Sequence, residues 1–253
     1  MDTKYQFALT IVKEAGDFLL EHLDDQLEIT AKTNPQDLVT HVDMAIQERL
    51  SQAILSHYSD DHIFGEEGGD VSSIDTGHVW VIDPIDGTTN FIAQKADFAI
   101  MLAYFEEGKG IFAVIYDLMN DEILHGGADY PVKLNDQLLP APQKKDFAYS
   151  LLGLNAKIYA ENAYGLRDLA QQTLGTRSVG SAGIGFLQVL KGRLLAYASY
   201  IYPWDYAAAA ILGQALGFSL LSLENDQPLY QGREYVLLVA DANVEEVKRY
   251  LTS

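Results

Sequence analysis

Residues 78–91, HVWVIDPIDGTTNF, constrain this chain more than any other stretch. A run of strand-forming residues ends in Asp83 and Asp86, and Gly87, Thr88, Thr89 and Asn90 follow at once. Pro84 lacks an N–H and has a restricted φ, so the strand ladder is predicted to stop there. The side chains of Asp83 and Asp86, with the Ile85 carbonyl between them, would then converge on one point. Two carboxylates and a carbonyl are hard oxygen donors, suited to Mg²⁺ or Mn²⁺ and not to Zn²⁺. Gly87 permits a tight turn, and the N–H groups of Gly87, Thr88 and Thr89 at a helix N-terminus would cradle an anion such as phosphate. An Asx turn that merely caps the strand accounts for the same letters, so this stretch alone leaves both readings open.

Other acids stand in suggestive places. FGEEGGD puts Glu66 and Glu67 after another strand end, among glycines. PWDYAAAA puts Asp205 at the start of an Ala-rich helix, where an Asp is ordinarily only a cap. KTNPQDLVTHVD adds Asp37 and Asp43, which by themselves read as a surface turn and as the second half of a capping box begun by Thr40. Together these acids would gather two or more Mg²⁺ ions beside a phosphate. Phosphomonoester hydrolysis needs such help, since accelerations of up to ~10²¹-fold are known. A metal pair about 3.5–4 Å apart activates a water and stabilises the departing alkoxide. Aspartyl-phosphate hydrolases carry D-x-D-G-T after an apolar strand, but the spacing Asp83-Pro-Ile-Asp86 is one residue too long for that motif. None of the six histidines falls in a metal-ligand spacing.

Charge narrows the partners. Acidic residues outnumber basic ones 36 to 17, giving a formal charge of −19. A polyanion is repelled by nucleic acid and by anionic membrane, and it needs metal cations to hold a phosphorylated substrate. With no cysteine, disulfides and thiolate metal sites are excluded. The opening MDTKYQFALTIVKEAG has no long apolar core, so no signal peptide is expected and the expected location is cytoplasmic. Tyr206 to Leu223 is the most membrane-like stretch, but Gly213, Gln214 and Gly217 interrupt it, and it reads as a buried helix followed by a buried strand.

Apolar residues from Phe7 to Leu23 recur at helical spacing, and Thr40 caps a second helix with Val42, Ile46, Leu50 and Ile54 on one face. A turn is expected around Asn34-Pro35. FAIMLAYF, GIFAVIYD and EILHGG, joined by tight connections, predict an antiparallel meander. Leu139 to Asp146 is the best linker, dividing an N-terminal α+β half (1–140) from a C-terminal α/β half (141–253). Beyond it the pattern predicts strands at YSLLGLN and TRSVG and helices over 161–173, 182–191 and 205–216. A last helix is capped by Asn243.

These motifs resemble the inositol monophosphatase family of Mg²⁺-dependent, lithium-sensitive phosphatases. WVIDPIDGTTNF matches its first signature almost letter for letter, with GEE upstream and WD-x-A-A downstream in the family's order. KTNPQDLVTHVD and RSVGSAG are similar to further family segments. The resemblance implies a layered αβαβα sandwich of the inositol monophosphatase / fructose bisphosphatase type, often a homodimer. It implies that Glu66, Asp83 and the Ile85 carbonyl hold one ion, that Asp83, Asp86 and Asp205 hold a second, and that a third, weaker ion sits on Glu66. Gly87 and Thr88 would contact the phosphate. Thr88, assisted by Asp43 and Glu66, would activate the attacking water, and Lys32 and Asp37 would lie on a mobile loop. Ser181 and Ala182 would face the substrate's ring, although a plain helix start accounts for them equally well.

Two departures stand out. Inositol-specific members carry a Glu at the position of Ala198, so strict inositol specificity is not implied, and fructose bisphosphate, NADP 2′-phosphate and nucleoside bisphosphates remain candidate substrates. The usual Glu-Ala-Gly-Gly after Asp205 reads Ala215-Leu216-Gly217-Phe218. A non-catalytic phosphometabolite-binding protein is the alternative of a different class.

Overall fold

The computed structural model describes residues 3–31 and 38–252. The expected turn at Asn34-Pro35, and the loop residues Lys32 and Asp37, lie outside the described residues. Two helices open the chain, α1 (Lys4–Glu21) and α2 (His41–His57), separated by a short hairpin of β1 (Ile29–Ala31) and β2 (Leu38–Thr40). The Thr40 side chain accepts from the Val42 and Asp43 N–H groups and Asp43 accepts from the Thr40 N–H, so the predicted capping box forms.

Seven strands follow in one sheet, paired in chain order: β3 (His62–Gly65), β4 (His78–Asp86), β5 (Ala99–Glu106), β6 (Lys109–Asp117), β7 (Glu122–Gly127), β8 (Tyr130–Leu134) and β9 (Gln137–Leu138). β3 and β4 are parallel, and all later pairs are antiparallel. The meander read from the sequence is therefore present, but β8 and β9 extend it beyond the runs that were predicted. A short helix, α3 (Thr88–Gln94), leaves β4 directly after Gly87.

The second sheet has the order β11-β10-β12-β14-β13, built from β10 (Leu151–Gly153), β11 (Gly175–Arg177), β12 (Ala196–Ile201), β13 (Phe218–Ser222) and β14 (Glu234–Ala240). Residues 139–146, which join the sheets, contain neither helix nor strand. Helices α4 (Ala156–Glu161) and α5 (Leu166–Ala170) replace the single helix predicted over 161–173. The break comes at Asn162 and Tyr164, both with left-handed backbone angles that no continuous helix contains. Helix α6 spans Ala182–Leu190, α7 spans Pro203–Leu216 and α8 spans Asp241–Lys248. Asn243 lies inside α8, not at its cap: buried, it exchanges hydrogen bonds with the backbone of Lys145 and ties the linker down.

Alternation along the strands sorts the layers. Trp80, Ile82, Ile100, Leu102 and Tyr104 pack on α1 and α2, whereas Val79, Val81, Ala99, Met101 and Ala103 pack on α6 and α7. Tyr197, Val236 and Leu238 of the second sheet close on the same middle helices, while Ala196, Ala198, Leu237 and Val239 face α4, α5 and α8. The result is the layered sandwich helix–sheet–helix–sheet–helix. Among the described residues, no helix is long and apolar enough to cross a membrane; the Tyr206–Leu223 stretch divides into α7 and β13, helix and then strand as expected, but in β13 only Phe218 is buried because the strand lies at the sheet edge.

Candidate metal and phosphate site

The predicted strand stop at Pro84 does not occur. β4 continues to Asp86, paired Asp83 to Met101 and Asp86 to Ala99, so three residues on β4 span two on β5. Pro84 is accommodated in this bulge, the place within a sheet where a missing N–H is tolerated. The extra residue has a consequence for the side chains. Residues three apart on a regular strand face opposite sides, but here both partners, Met101 and Ala99, belong to the inner core. Asp83 and Asp86 therefore point the same way, into the middle layer, while Ile85 packs in the outer core.

Asp205 meets them from the first turn of α7. One of its oxygens accepts the Tyr202 N–H at 2.7 Å, and carboxylate oxygens of Asp83, Asp86 and Asp205 all lie within 4.8 Å of one another. Glu66 joins from the turn after β3, fixed by its N–H to the Ile82 carbonyl at 3.1 Å, one residue before Asp83. Glu66 lines the same cleft, of about 460 Å³, as Asp86 and Asp205, whereas Glu67 lines a different groove with Met44 and Leu55.

Each acid has its own environment. Asp86 is the best supported: Ser181 Oγ and the Gly183 N–H (2.7 Å) donate to one oxygen, and the Ala182 N–H donates to the other at 3.0 Å. Burial raises its pKa, and these donors oppose the rise. Asp83 is fully buried, and neither of its oxygens receives a hydrogen bond from an N–H or O–H. Burial first, then the charges of Glu66, Asp86 and Asp205, push its pKa well above the usual carboxylate range. Asp205 is raised well above that range too, by burial and then by Asp86 and Glu66. Like charges held this close are costly in a buried site. The donor set, all oxygen and rich in carboxylate, fits divalent hard cations.

Thr88 sits at the first position of α3. Its Oγ1 lies 3.0 Å from Asp43 Oδ1 and 3.1 Å from the Ile85 carbonyl, so its single proton chooses between two acceptors. Asp43 thus serves both as capping-box partner and as acceptor for Thr88; it is fully buried, and burial raises its pKa against the hydrogen bonds it accepts, those from Thr40 and Thr88 among them. Gly87 has φ +92, a conformation that disfavours any side chain.

Several sequence expectations are sharpened. Ser181 and Ala182 line the cleft, but their hydroxyl and N–H are spent on Asp86. Ala198 faces the outer core, and the residues of β12 that line the cleft are Tyr197, Ser199 and Ile201. Tyr200 packs against Tyr235, ring centres 4.5 Å apart, and does not itself line the cleft, whereas Tyr202 and Trp204 stack on one another and do. Asn155, Ser199 and Arg233 line the cleft without any motif that marked them.

A family model for the inositol monophosphatase family matches residues 1–250. The chain belongs to that family. It is a phosphoric monoester hydrolase of the family, and its layered sandwich is the family's fold. Inositol-1-monophosphatase of Bacillus subtilis is 35% identical over 221 residues, covering 85% of this chain and 83% of that protein. The Nus factor SuhB of Pseudomonas aeruginosa is 31% identical over 229 residues, covering 86% and 84%. Among solved structures, Staphylococcus aureus inositol monophosphatase II with bound inositol monophosphate superposes with a TM-score of 0.85 at 26% identity, covering 98% of this chain and 93% of that one.

Gly87 gives a first prediction. An alanine Cβ at 87 would lie 2.9 Å from Ser181 Cβ and 3.2 Å from the Asp97 carbonyl oxygen. The left-handed angle adds about 1–2 kcal/mol, so Gly87→Ala is expected to lower Tm by about 2–8 °C. Because it crowds Ser181, which donates to Asp86, turnover is expected to fall at least about tenfold if Asp86 holds a metal, comparable to loss of a supporting hydrogen bond around such a ligand. Thermal scans beside steady-state kinetics check both halves.

Proposed function

We propose that this protein is a Mg²⁺-dependent, lithium-sensitive phosphomonoesterase acting on a small polyol or sugar phosphate, working as a cytoplasmic homodimer. The observation that carries this reading is Asp83, fully buried, without a donor, and faced by three other carboxylates. Such a group calls for cations. In this reading Glu66, Asp83 and the Ile85 carbonyl hold one ion, Asp83, Asp86 and Asp205 a second, and Glu66 a third, weaker one; Mn²⁺ would substitute. When bound, the ions supply a lowered water pKa and neutralise charge on the phosphoryl and departing oxygens.

The chain's own groups do the rest. Asp86, pinned by the start of α6, cannot swing away and keeps its lone pairs in register. Thr88, donating to Asp43, turns an Oγ1 lone pair toward the attacking water and accepts its hydrogen bond, with Glu66 as the second acceptor. The Gly87 and Thr88 N–H groups face the phosphate. Water attacks phosphorus directly and gives up one proton by way of Glu66 to solvent, the P–O ester bond breaks, and the departing alkoxide takes a proton from solvent to leave as the alcohol. No side chain becomes phosphorylated. Lys32 and Asp37 belong to the loop proposed to steady the third ion.

Phosphate release from myo-inositol 1-phosphate, fructose 1,6-bisphosphate, NADP and a nucleoside 3′,5′-bisphosphate, with Mg²⁺ and with or without Li⁺, tests the reading. Mg²⁺-dependent release from at least one, abolished by chelator and reduced by Li⁺, is expected. Tight calorimetric binding with no phosphate released over hours would instead establish a non-catalytic phosphometabolite-binding protein.

A further inference from the structure

Arg233, in the segment before β14, is the one lysine or arginine among the described residues lining the cleft. Its Nη2 donates to the Tyr200 carbonyl at 3.0 Å. Its guanidinium carbon lies 4.9 Å from the centre of the Tyr200 ring and 5.2 Å from that of Tyr202. Tyr202 in turn stacks on Trp204, with ring centres 4.7 Å apart, and both rings line the cleft. The guanidinium is thereby held by one carbonyl and two aromatic faces.

What is missing is a carboxylate. In a chain with 36 acidic residues and 17 basic ones, Arg233 forms no ion pair with any described residue. Arginine has five N–H donors in a fixed fork, matched to carboxylate and phosphate. One bond to the Tyr200 carbonyl leaves the others for a ligand. The spacing between this cation and the acidic cluster is set by one short segment. The Tyr202 ring supports Arg233, and the Tyr202 N–H fixes Asp205 three residues later.

We propose that Arg233 determines specificity by binding a second anionic group, a phosphate or carboxylate, on the same small molecule whose phosphomonoester is hydrolysed at Asp83, Asp86 and Asp205. This rests on the phosphatase reading above and narrows its substrate class: a polyol or sugar carrying two anionic groups, not an uncharged polyol monophosphate. The substrate bridges the cleft, with its scissile phosphate at the carboxylate end and its other anion on the guanidinium. An uncharged ring in the same place would leave the arginine paired only with water.

The test compares fructose 1,6-bisphosphate with myo-inositol 1-phosphate, with Mg²⁺, for the full-length wild type and for Arg233→Ala, Arg233→Lys and Arg233→Glu. A hydrogen-bonded charge pair contributes enough that its loss is expected to lower the bisphosphate-to-monophosphate ratio of kcat/KM about tenfold or more, mainly through KM. Lysine should restore part of the ratio, since it keeps the charge but not the fork, and glutamate should lower it below alanine. Arg233 is exposed, so the variants are expected to fold, with unchanged Tm as the check. A ratio that stays constant across the variants overturns the role of Arg233. So does a wild type that hydrolyses only the inositol phosphate, which leaves the phosphatase reading standing. Release of phosphate from none of the tested phosphomonoesters overturns both.

Discussion

Asp83→Asn is expected to abolish turnover and stabilise the metal-free protein at the same time. The proposed role of Asp83 as a ligand shared by two ions predicts a loss of at least about 10³-fold in kcat, comparable to removing a principal electrostatic contributor from an active site. The stability effect has the opposite sign. In the metal-free state the Asp83 carboxylate is buried without a donor beside Glu66, Asp86 and Asp205. An asparagine of nearly the same shape removes one buried charge and offers its amide hydrogens to those same carboxylates. Relief of an unpaired buried charge is worth about 1–3 kcal/mol. For a chain of this size that corresponds to a rise of about 2–12 °C in the Tm measured with chelator. Addition of Mg²⁺ should raise the wild-type Tm and leave that of the variant nearly unchanged. Full Mg²⁺-dependent turnover in Asp83→Asn would sink the ligand assignment. Loss of activity accompanied by a fall in metal-free stability would show that Asp83 is structural.

The part of the site that was legible in the sequence is the part whose chemistry is local. The strand–carboxylate–glycine–threonine order from Asp83 to Thr88 places opposite polarities within a few residues, and turn chemistry alone constrains what those residues can do. Thr40 and Asp43 were legible as a capping box for the same reason, but nothing in that spacing revealed that Asp43 also accepts from Thr88, 45 positions away. The bulge at Pro84 was misread as a strand end, because a missing N–H signals either outcome and only the pairing with β5 decides between them. That Ala198 faces the outer core while Tyr197 and Ser199 face the cleft depends on which face of β12 each occupies, and sequence position alone does not say which face that is. Arg233 carries no signature at all: it lies in the cleft because β14 pairs with β12, an alignment of distant segments that no local pattern encodes. Hydrophobic period sets elements, and turn residues set their ends. Contacts across sheets decide which of the resulting side chains meet.

The metal-free protein is also expected to gain stability as pH falls through the raised folded-state values of its buried aspartates, against the usual behaviour of an acidic protein. Asp83 and Asp205 have folded-state pKa values well above that of an unfolded aspartate, and Asp86 and Asp43 are raised as well. A raised pKa means that the folded state holds the proton more tightly than the unfolded chain does. Its stabilising contribution is therefore complete below the unfolded value and is lost as pH climbs through the folded one. Once pH has climbed through the folded-state values, Asp83 and Asp205 carry like charges side by side with Asp86, and the metal-free Tm should be lowest there. The gain on acidification ends near pH 4, where groups with lowered pKa, such as Asp70 beside His62, begin to lose their pairing. Divalent cations should reverse the slope, because they bind the ionised form. At 100 times its Kd, Mg²⁺ contributes about 2.7 kcal/mol, or about 5–10 °C in Tm, and this shift should shrink as pH drops and protons compete for the same oxygens. Thermal scans from pH 8 to 4, with chelator and with Mg²⁺, trace two curves that converge at low pH if the carboxylates form the cation site. Parallel curves across the range would place the cation elsewhere in the molecule.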